Sequence, residues 1–247
     1  MITRWRVSLA GSLLFTTMLA SGASDIHWEY SGSKGPDYWG DLTPKFSVCS
    51  SGKNQSPIDV TDTMKAELPA LDFLYNSNAA EILNNGHTVQ INFRPGSMIE
   101  VGGRRFELQQ FHVHAPSENR IGGQAFPLEG HLVHADRNGN LAVVAVMYEV
   151  QQVNKALNLL WDPLPEKAGD RRAITRPVTA ADLLPVNWAY YRFNGSLTTP
   201  PCTEGVWWLV LKTPAKISRE QAEMFSHVMR HPNNRPIQPL NARPVLR

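Results

Sequence analysis

Cysteine is scarce in this sequence: Cys49 and Cys202 are the only two in 247 residues. That excludes a disulfide-dense scaffold and the cysteine-rich zinc modules. Charge of one sign is also lacking, since 24 Lys and Arg stand against 22 Asp and Glu without a basic stripe or a charged run. No nucleic-acid partner is therefore expected, because phosphate recognition needs a clustered basic surface. Long apolar runs are missing too. The best candidate, residues 7–19, is interrupted by Ser and Thr and falls short of the ~20 residues that span a bilayer. No internal repeat, low-complexity tract or linker divides the chain.

The first residues do hold a signal of another kind. A short basic start (Arg4, Arg6) precedes the apolar run, and small residues follow at Ala20-Ser21-Gly22-Ala23. That order reads as a secretory signal peptide over residues 1–23, cleaved near Ala23, with a membrane anchor as the alternative that the short run disfavours. The two arginines leave with it, so the mature chain carries 22 basic and 22 acidic residues and is formally neutral. Residues 24–247 are long enough for one sizeable core and are read as a single domain. In an exported protein an isolated cysteine pair reads as one disulfide, Cys49 to Cys202, worth at most about 5 kcal/mol for so long a loop. Two buried thiols are the alternative.

Periodicity along the chain is mostly of period two. Strands are expected at residues 89–93, 97–101, 107–114, 129–134, 141–150, 190–193 and 206–212. Turn residues separate them: Asn84-Asn85-Gly86, Arg94-Pro95-Gly96, Gly102-Gly103, and Asp136-Arg137-Asn138-Gly139-Asn140, the last a hairpin between two strong strand signals. Helical signals are few. Residues 154–161 give one and 180–184 a single turn, while Ser218 with Gln221 forms a capping box that opens a helix over 219–229. The fold class is mainly β with a few peripheral helices.

Within the strand that ends Gln110-Phe111-His112-Val113-His114, residues two apart share a face, so His112 and His114 project together with Gln110 beside them. A second strand, Glu129-Gly130-His131-Leu132-Val133-His134, offers His131 on the same face as Glu129 and Val133. If the strands are neighbours, three neutral imidazoles converge and leave a fourth position open, the arrangement of a catalytic zinc site. Gln110 and Glu129 have the parity to orient those rings from behind. His134 points the other way and reads as structural. His27, His227 and His231 have no such setting.

The segments Asn54-Gln55-Ser56-Pro57-Ile58-Asp59, Asn84-Asn85-Gly86-His87, the two histidine strands, Tyr191-Arg192-Phe193-Asn194-Gly195-Ser196-Leu197-Thr198-Thr199-Pro200-Pro201-Cys202 and Asn234-Arg235-Pro236-Ile237-Gln238-Pro239-Leu240 occur in the order found in one family. The chain resembles the alpha-class carbonic anhydrases over essentially its whole mature length. Ala115-Pro116-Ser117-Glu118-Asn119 and the cysteine pair are similar to the bacterial branch, whose members are typically periplasmic.

The resemblance implies one domain around a central, twisted, largely antiparallel sheet, with Zn2+ on His112, His114 and His131. It implies reversible hydration of carbon dioxide to bicarbonate and a proton through a zinc-bound hydroxide. By residue matching, Thr198 accepts a hydrogen bond from the hydroxide and donates its own hydroxyl hydrogen bond to Glu118. Val133, Val143, Leu197 and Trp208 match the apolar wall for carbon dioxide, although strand positions of these types also serve as core. Thr199 matches the bicarbonate side. His87 matches the proton shuttle, with Tyr30 and Asn85 on the water chain that leads to it. Asn233 matches the residue whose carbonyl holds His114. The resemblance also offers a homodimer as the first assembly state to test.

One departure is local: many animal relatives carry Trp-Gly where this chain has Ala115-Pro116, so the reach of Glu118 is open. Two rival readings remain. His112-x-His114-x3-Glu118 opens a cupin-type motif, in which Glu118 would bind iron or manganese. A metal-free binding module of the same fold is the other, and retention of all three histidines with Thr198, Glu118 and His87 counts against it.

Overall fold

The computed structural model describes residues 26–247; the expected signal peptide and its cleavage point lie outside the described residues. The chain begins with short helical turns that include α1 (Trp39–Leu42) and α2 (Val48–Ser51). Strands follow: β1 (Asp59–Val60), β2 (Leu71–Tyr75), β3 (Ala79–Asn84), β4 (Val89–Phe93), β5 (Ser97–Val101), β6 (Arg104–His114), β7 (Arg120–Ile121), β8 (Leu128–Ala135) and β9 (Leu141–Val150). Helix α3 (Lys155–Leu160), β10 (Arg171–Ala173), β11 (Tyr190–Ser196), β12 (Glu204–Leu211), β13 (Ala215–Ile217) and helix α4 (Arg219–Met229) complete it.

Among the described residues eleven strands make one sheet, in the order β10-β3-β4-β6-β8-β9-β12-β11, with β5 carrying β2 beside β6 and with β13 beside β9. Its pairings are antiparallel except those of β9 with β12 and with β13. The sheet is therefore mixed but largely antiparallel, as expected. The parallel pair arises because the chain leaves β9 through α3 and returns by way of β10 and β11 before β12 is laid down. β1 and β7 form a separate parallel pair.

The two faces of the sheet follow from strand parity. Ile91, Phe111, Leu132, Val144 and Leu209 face one side and join the larger core, which α3 and α4 cover through Leu157, Leu160, Phe225 and Met229. Burial of each such side chain contributes on the order of 1.5–3 kcal/mol. The other face is lined in turn by Gln90, His112, His131, Ala145 and Val210, which stand opposite one another across β4, β6, β8, β9 and β12. That row carries the site.

Several element ends differ from the periodicity. β6 starts at Arg104 because Arg104–Glu107 pairs with β5 across the Gly102-Gly103 turn, where both glycines have positive φ (57° and 73°). β11 runs on to Ser196, and β12 starts at Glu204, held by pairing past a bulge at Gly195/Ser196. α3 is bounded by its caps Asn154 and Trp161, and Asn154 accepts Leu157 N–H. The capping box at Ser218 and Gln221 is present, and Asp136 Oδ1 closes the β8–β9 hairpin by accepting the N–H groups of Asn138 and Asn140.

Candidate metal centre and active site

His112 and His131 are direct partners across β6 and β8, and His114 stands opposite Glu129. One nitrogen from each of His112, His114 and His131 lies within 4.8 Å of the other two. The neighbours of the remaining nitrogens decide which atoms those are. His114 Nδ1 is 2.6 Å from the Asn233 carbonyl, which only accepts, so Nδ1 carries the proton and Nε2 keeps its lone pair. His112 Nδ1 donates to Gln110 Oε1 at 2.8 Å, again freeing Nε2. His131 is turned over: Nε2 donates to Glu129 Oε1 at 2.9 Å and frees Nδ1. The site thus offers two Nε2 lone pairs and one Nδ1 lone pair.

Protonation does not compete for them. Burial holds His112 and His131 well below the ordinary histidine pKa, and neighbouring imidazoles push in the same direction. His114 is lowered as well, burial outweighing its bond to Asn233. His114 Nε2 is buried without a hydrogen-bond partner. An orphaned lone pair facing two others is the chemistry of a cation site, and three imidazoles with an open position fit zinc.

Behind the rings the supports are themselves fixed. Glu129 is fully buried, and its charge is answered by Asn119: the backbone N–H reaches Oε2 and Nδ2 reaches Oε1, both at 2.7 Å. Asn233 also holds the backbone, accepting Ala115 N–H at 2.8 Å and donating to the Val113 and His87 carbonyls. One residue thereby ties a ligand strand to the loop of His87.

Glu118 reaches the site despite the Ala115-Pro116 departure. Its Oε2 lies 3.5 Å from His114 Nε2 and 4.0 Å from His131 Nδ1. Its Oε1 accepts the Arg235 backbone N–H at 2.9 Å. Burial pushes its pKa up to about 8, against the pull of the Arg235 backbone and the Thr198 hydroxyl. A divalent cation at the histidines would favour the ionised form. Arg235 is itself buried and spends its guanidinium on Gln55, Ser56 and Cys49 oxygens. Motif reading quoted Arg235 and Asn119 without giving either a part. Arg235 reaches Glu118 from 117 residues away, and Asn119 meets Glu129 only once the loop after β6 turns back on β8, so only the fold shows them.

A family model described as eukaryotic-type carbonic anhydrase matches residues 34–247. The chain belongs to the carbonic anhydrase family. A carbonic anhydrase of Pectobacterium carotovorum is 45% identical over 96% of this chain and 98% of its own. One of Neisseria gonorrhoeae is 47% identical over 92% of this chain and 90% of its own. Among solved structures, the alpha-carbonic anhydrase of Thermovibrio ammonificans with the inhibitor sulfanilamide has a TM-score of 0.88 at 49% identity, covering 90% of this chain and 99% of that one. Membership in the carbonic anhydrase family, an enzyme family, sets aside the cupin-type reading.

Part of the expected apolar wall lies beside the histidines. Val133, Val143 and Trp208 stand opposite one another on β8, β9 and β12. Leu197 packs into the same cluster, and so does Phe193, which the sequence did not single out. The Trp208 ring is 5.0 Å from that of His131, and its Nε1 donates to the Ser196 carbonyl. Thr198 is buried, and Thr199 accepts the Cys202 N–H at 2.8 Å. Those two threonines are held in a loop closed by the Cys49–Cys202 disulfide, which is formed.

Asn85 Oδ1 accepts the N–H groups of His87 and Thr88, which fixes the turn that carries His87. The His87 ring stacks on Trp28 at 3.7 Å and 9°. Its pKa is lowered by partial burial first and then by His27 and His231, against the pull of Glu29. Tyr30 sits 6.5 Å from His87, and burial with the Glu118 charge raises its pKa, so it stays a neutral hydroxyl. His134 is buried against Tyr75, whose hydroxyl is 2.8 Å from its Nε2, and burial lowers its pKa to about 3. It is structural, as its parity implied.

Proposed function

We propose that this chain catalyses the reversible hydration of carbon dioxide to bicarbonate and a proton, with zinc on His112, His114 and His131. One observation carries the reading: three imidazole lone pairs, those of His114 and His131 on buried rings, converge while every opposite ring nitrogen is bonded to Gln110, Glu129 or Asn233. Zinc held there supplies Lewis acidity that brings the pKa of a water to about 7, as is characteristic of carbonic anhydrases. The chain's own residues do the rest. Thr198 donates a hydroxyl hydrogen bond to Glu118 and so turns an oxygen lone pair toward the reacting water. Val133, Val143, Leu197 and Trp208 offer carbon dioxide an apolar wall that does not compete for hydrogen bonds, and Thr199 lines the side where bicarbonate forms. Tyr30 and Asn85 hold the water that leads outward to His87.

Stopped-flow hydration on the purified mature chain, before and after chelation and zinc return, tests this directly. Activity that disappears with the metal and comes back with it is the expected result. A fully zinc-loaded protein without hydration activity would turn the reading toward a binding module.

His87 is proposed as the residue that takes the proton to buffer. Its lowered pKa keeps the ring neutral at neutral pH and able to accept. His87→Ala is expected to slow turnover about 10- to 100-fold in weak buffer, at the low end of what a positioned proton-transfer group contributes. Added imidazole should restore part of the rate. An unchanged rate in weak buffer removes His87 from the mechanism.

Export belongs to the same reading. The bonded Cys49–Cys202 pair favours an oxidising compartment, and bacterial relatives match along nearly the whole chain. Among the described residues no helix is long and apolar enough to cross a membrane. We place the mature chain outside the cytoplasm, in the periplasm or secreted, after removal of residues 1–23, with a homodimer as the first assembly to test.

A further inference from the structure

Away from the metal centre, the C-terminal tail, the edge strand β11 and the Lys53-Asn54 loop enclose a cavity of about 500 Å³. That size is ordinary for a small-molecule site. Among the described residues, three that line it are cationic, Lys53, Arg192 and Arg243, and none is an acid.

The three cations are not equivalent. Arg243 is part of the frame: it donates to the Leu240, Asn194, Gln55 and Pro239 carbonyls. It feels the charge of Glu204, a carboxylate that is in turn engaged by Asn54 and by Gln55 Nε2. Lys53 and Arg192 are free. Among the described residues every Lys or Arg paired with a carboxylate lies elsewhere.

Arg192 is also pre-positioned. Its backbone N–H and carbonyl both bond Leu246, which straps the tail to the strand. Its guanidinium lies 4.1 Å from the Trp207 ring centroid. Stacking occupies one face of the guanidinium and leaves its edge of parallel N–H donors, the geometry that matches a carboxylate. Asn194, two residues on along β11, shares that face and adds an amide. Pro244 and Leu246 give the cavity an apolar side.

We propose that this cavity binds a small organic carboxylate, its two oxygens on Arg192 and Lys53 and its apolar part against Pro244 and Leu246. The binding is separate from the metal centre and does not depend on the catalytic reading. The probe is benzoate, titrated into zinc-loaded, 15N-labelled mature protein while the side-chain amides of Asn194 and Asn241 are followed by NMR. Because the readout is local, benzoate at the metal does not confuse it.

Saturable shifts at both amides are expected. The K53Q/R192Q double variant should weaken benzoate about 10- to 100-fold, the effect of losing charge-assisted hydrogen bonds, while carbon dioxide hydration stays unchanged as a check on the fold. Benzyl alcohol, neutral and of similar shape, should bind no better than benzoate does to the double variant. The proposal is overturned if neither amide shifts saturably, if the variant binds benzoate as the parent does, or if benzyl alcohol matches benzoate.

Discussion

Replacing His131 by alanine is expected to lower carbon dioxide hydration by about 10³-fold or more and to strip zinc from the purified protein, with the sheet intact. A metal centre contributes several kcal/mol to the transition state, and each 1.36 kcal/mol is tenfold in rate. Two ligands on β6 would remain, too few for a closed set. The fold should survive because His131 pairs through its backbone with His112 and Ala145. Its ring also touches Trp208, whose own position is held by the Ser196 carbonyl.

The contrast with Glu129→Gln sharpens the test. That change keeps the ligand but weakens the bond that fixes the His131 ring, and it should cost about 10- to 100-fold in zinc affinity, as such supporting partners do. Metal analysis, near-UV circular dichroism and stopped-flow rates on both variants separate the two effects. A His131→Ala protein that keeps stoichiometric zinc and the parent rate would defeat the three-histidine assignment.

The histidine cluster was legible because it is local. His112 and His114 are two residues apart on one strand, and parity alone puts them on one face. His131 needed one further fact, that β8 neighbours β6, and the register then sets it directly opposite His112. Strands with clean alternation, such as β4 and β5, were legible to the residue for the same reason.

What was not legible is non-local or irregular. β3 has buried residues at Ala79, Ile82 and Asn84, an uneven pattern caused by the register shift between Ala79 and Glu81. β2 buries only its two ends, Leu71 and Tyr75. β10 and β13 are three residues long and are recruited by backbone pairing to β3 and β9. The turns from Gly32 to Ser51 carry too much Gly, Pro and Ser for a helical period to show. In the site, the same limit hides Arg235, whose backbone reaches Glu118 from 117 residues away, and Trp28, which carries the His87 ring. Such contacts depend on how loops dock, which no local pattern encodes.

The C49S/C202S double variant is expected to lose about 5 kcal/mol of stability in the chain-entropy model, because the bond closes a loop between residues 153 apart. Against a total of about 5–15 kcal/mol for a domain, that is a third of the stability or more. Both cysteines are buried beside Trp39, so the pair is also a packing element. Its loss should act first on the loop of Thr198 and Thr199. Cys202 N–H bonds Thr199, the Cys202 carbonyl accepts Gln55 Nε2, and the Cys49 carbonyl accepts Arg235.

Urea unfolding measures both parts. If the bond works mainly by restraining the unfolded chain, the variant's denatured state expands, and the denaturant slope should rise while the midpoint falls. A midpoint that falls with no change in slope would locate the effect in native packing around Trp39. A stability within about 1 kcal/mol of the parent would show that the helical turns, Arg235 and the Gln55 bridge hold the active-site loop without the bond.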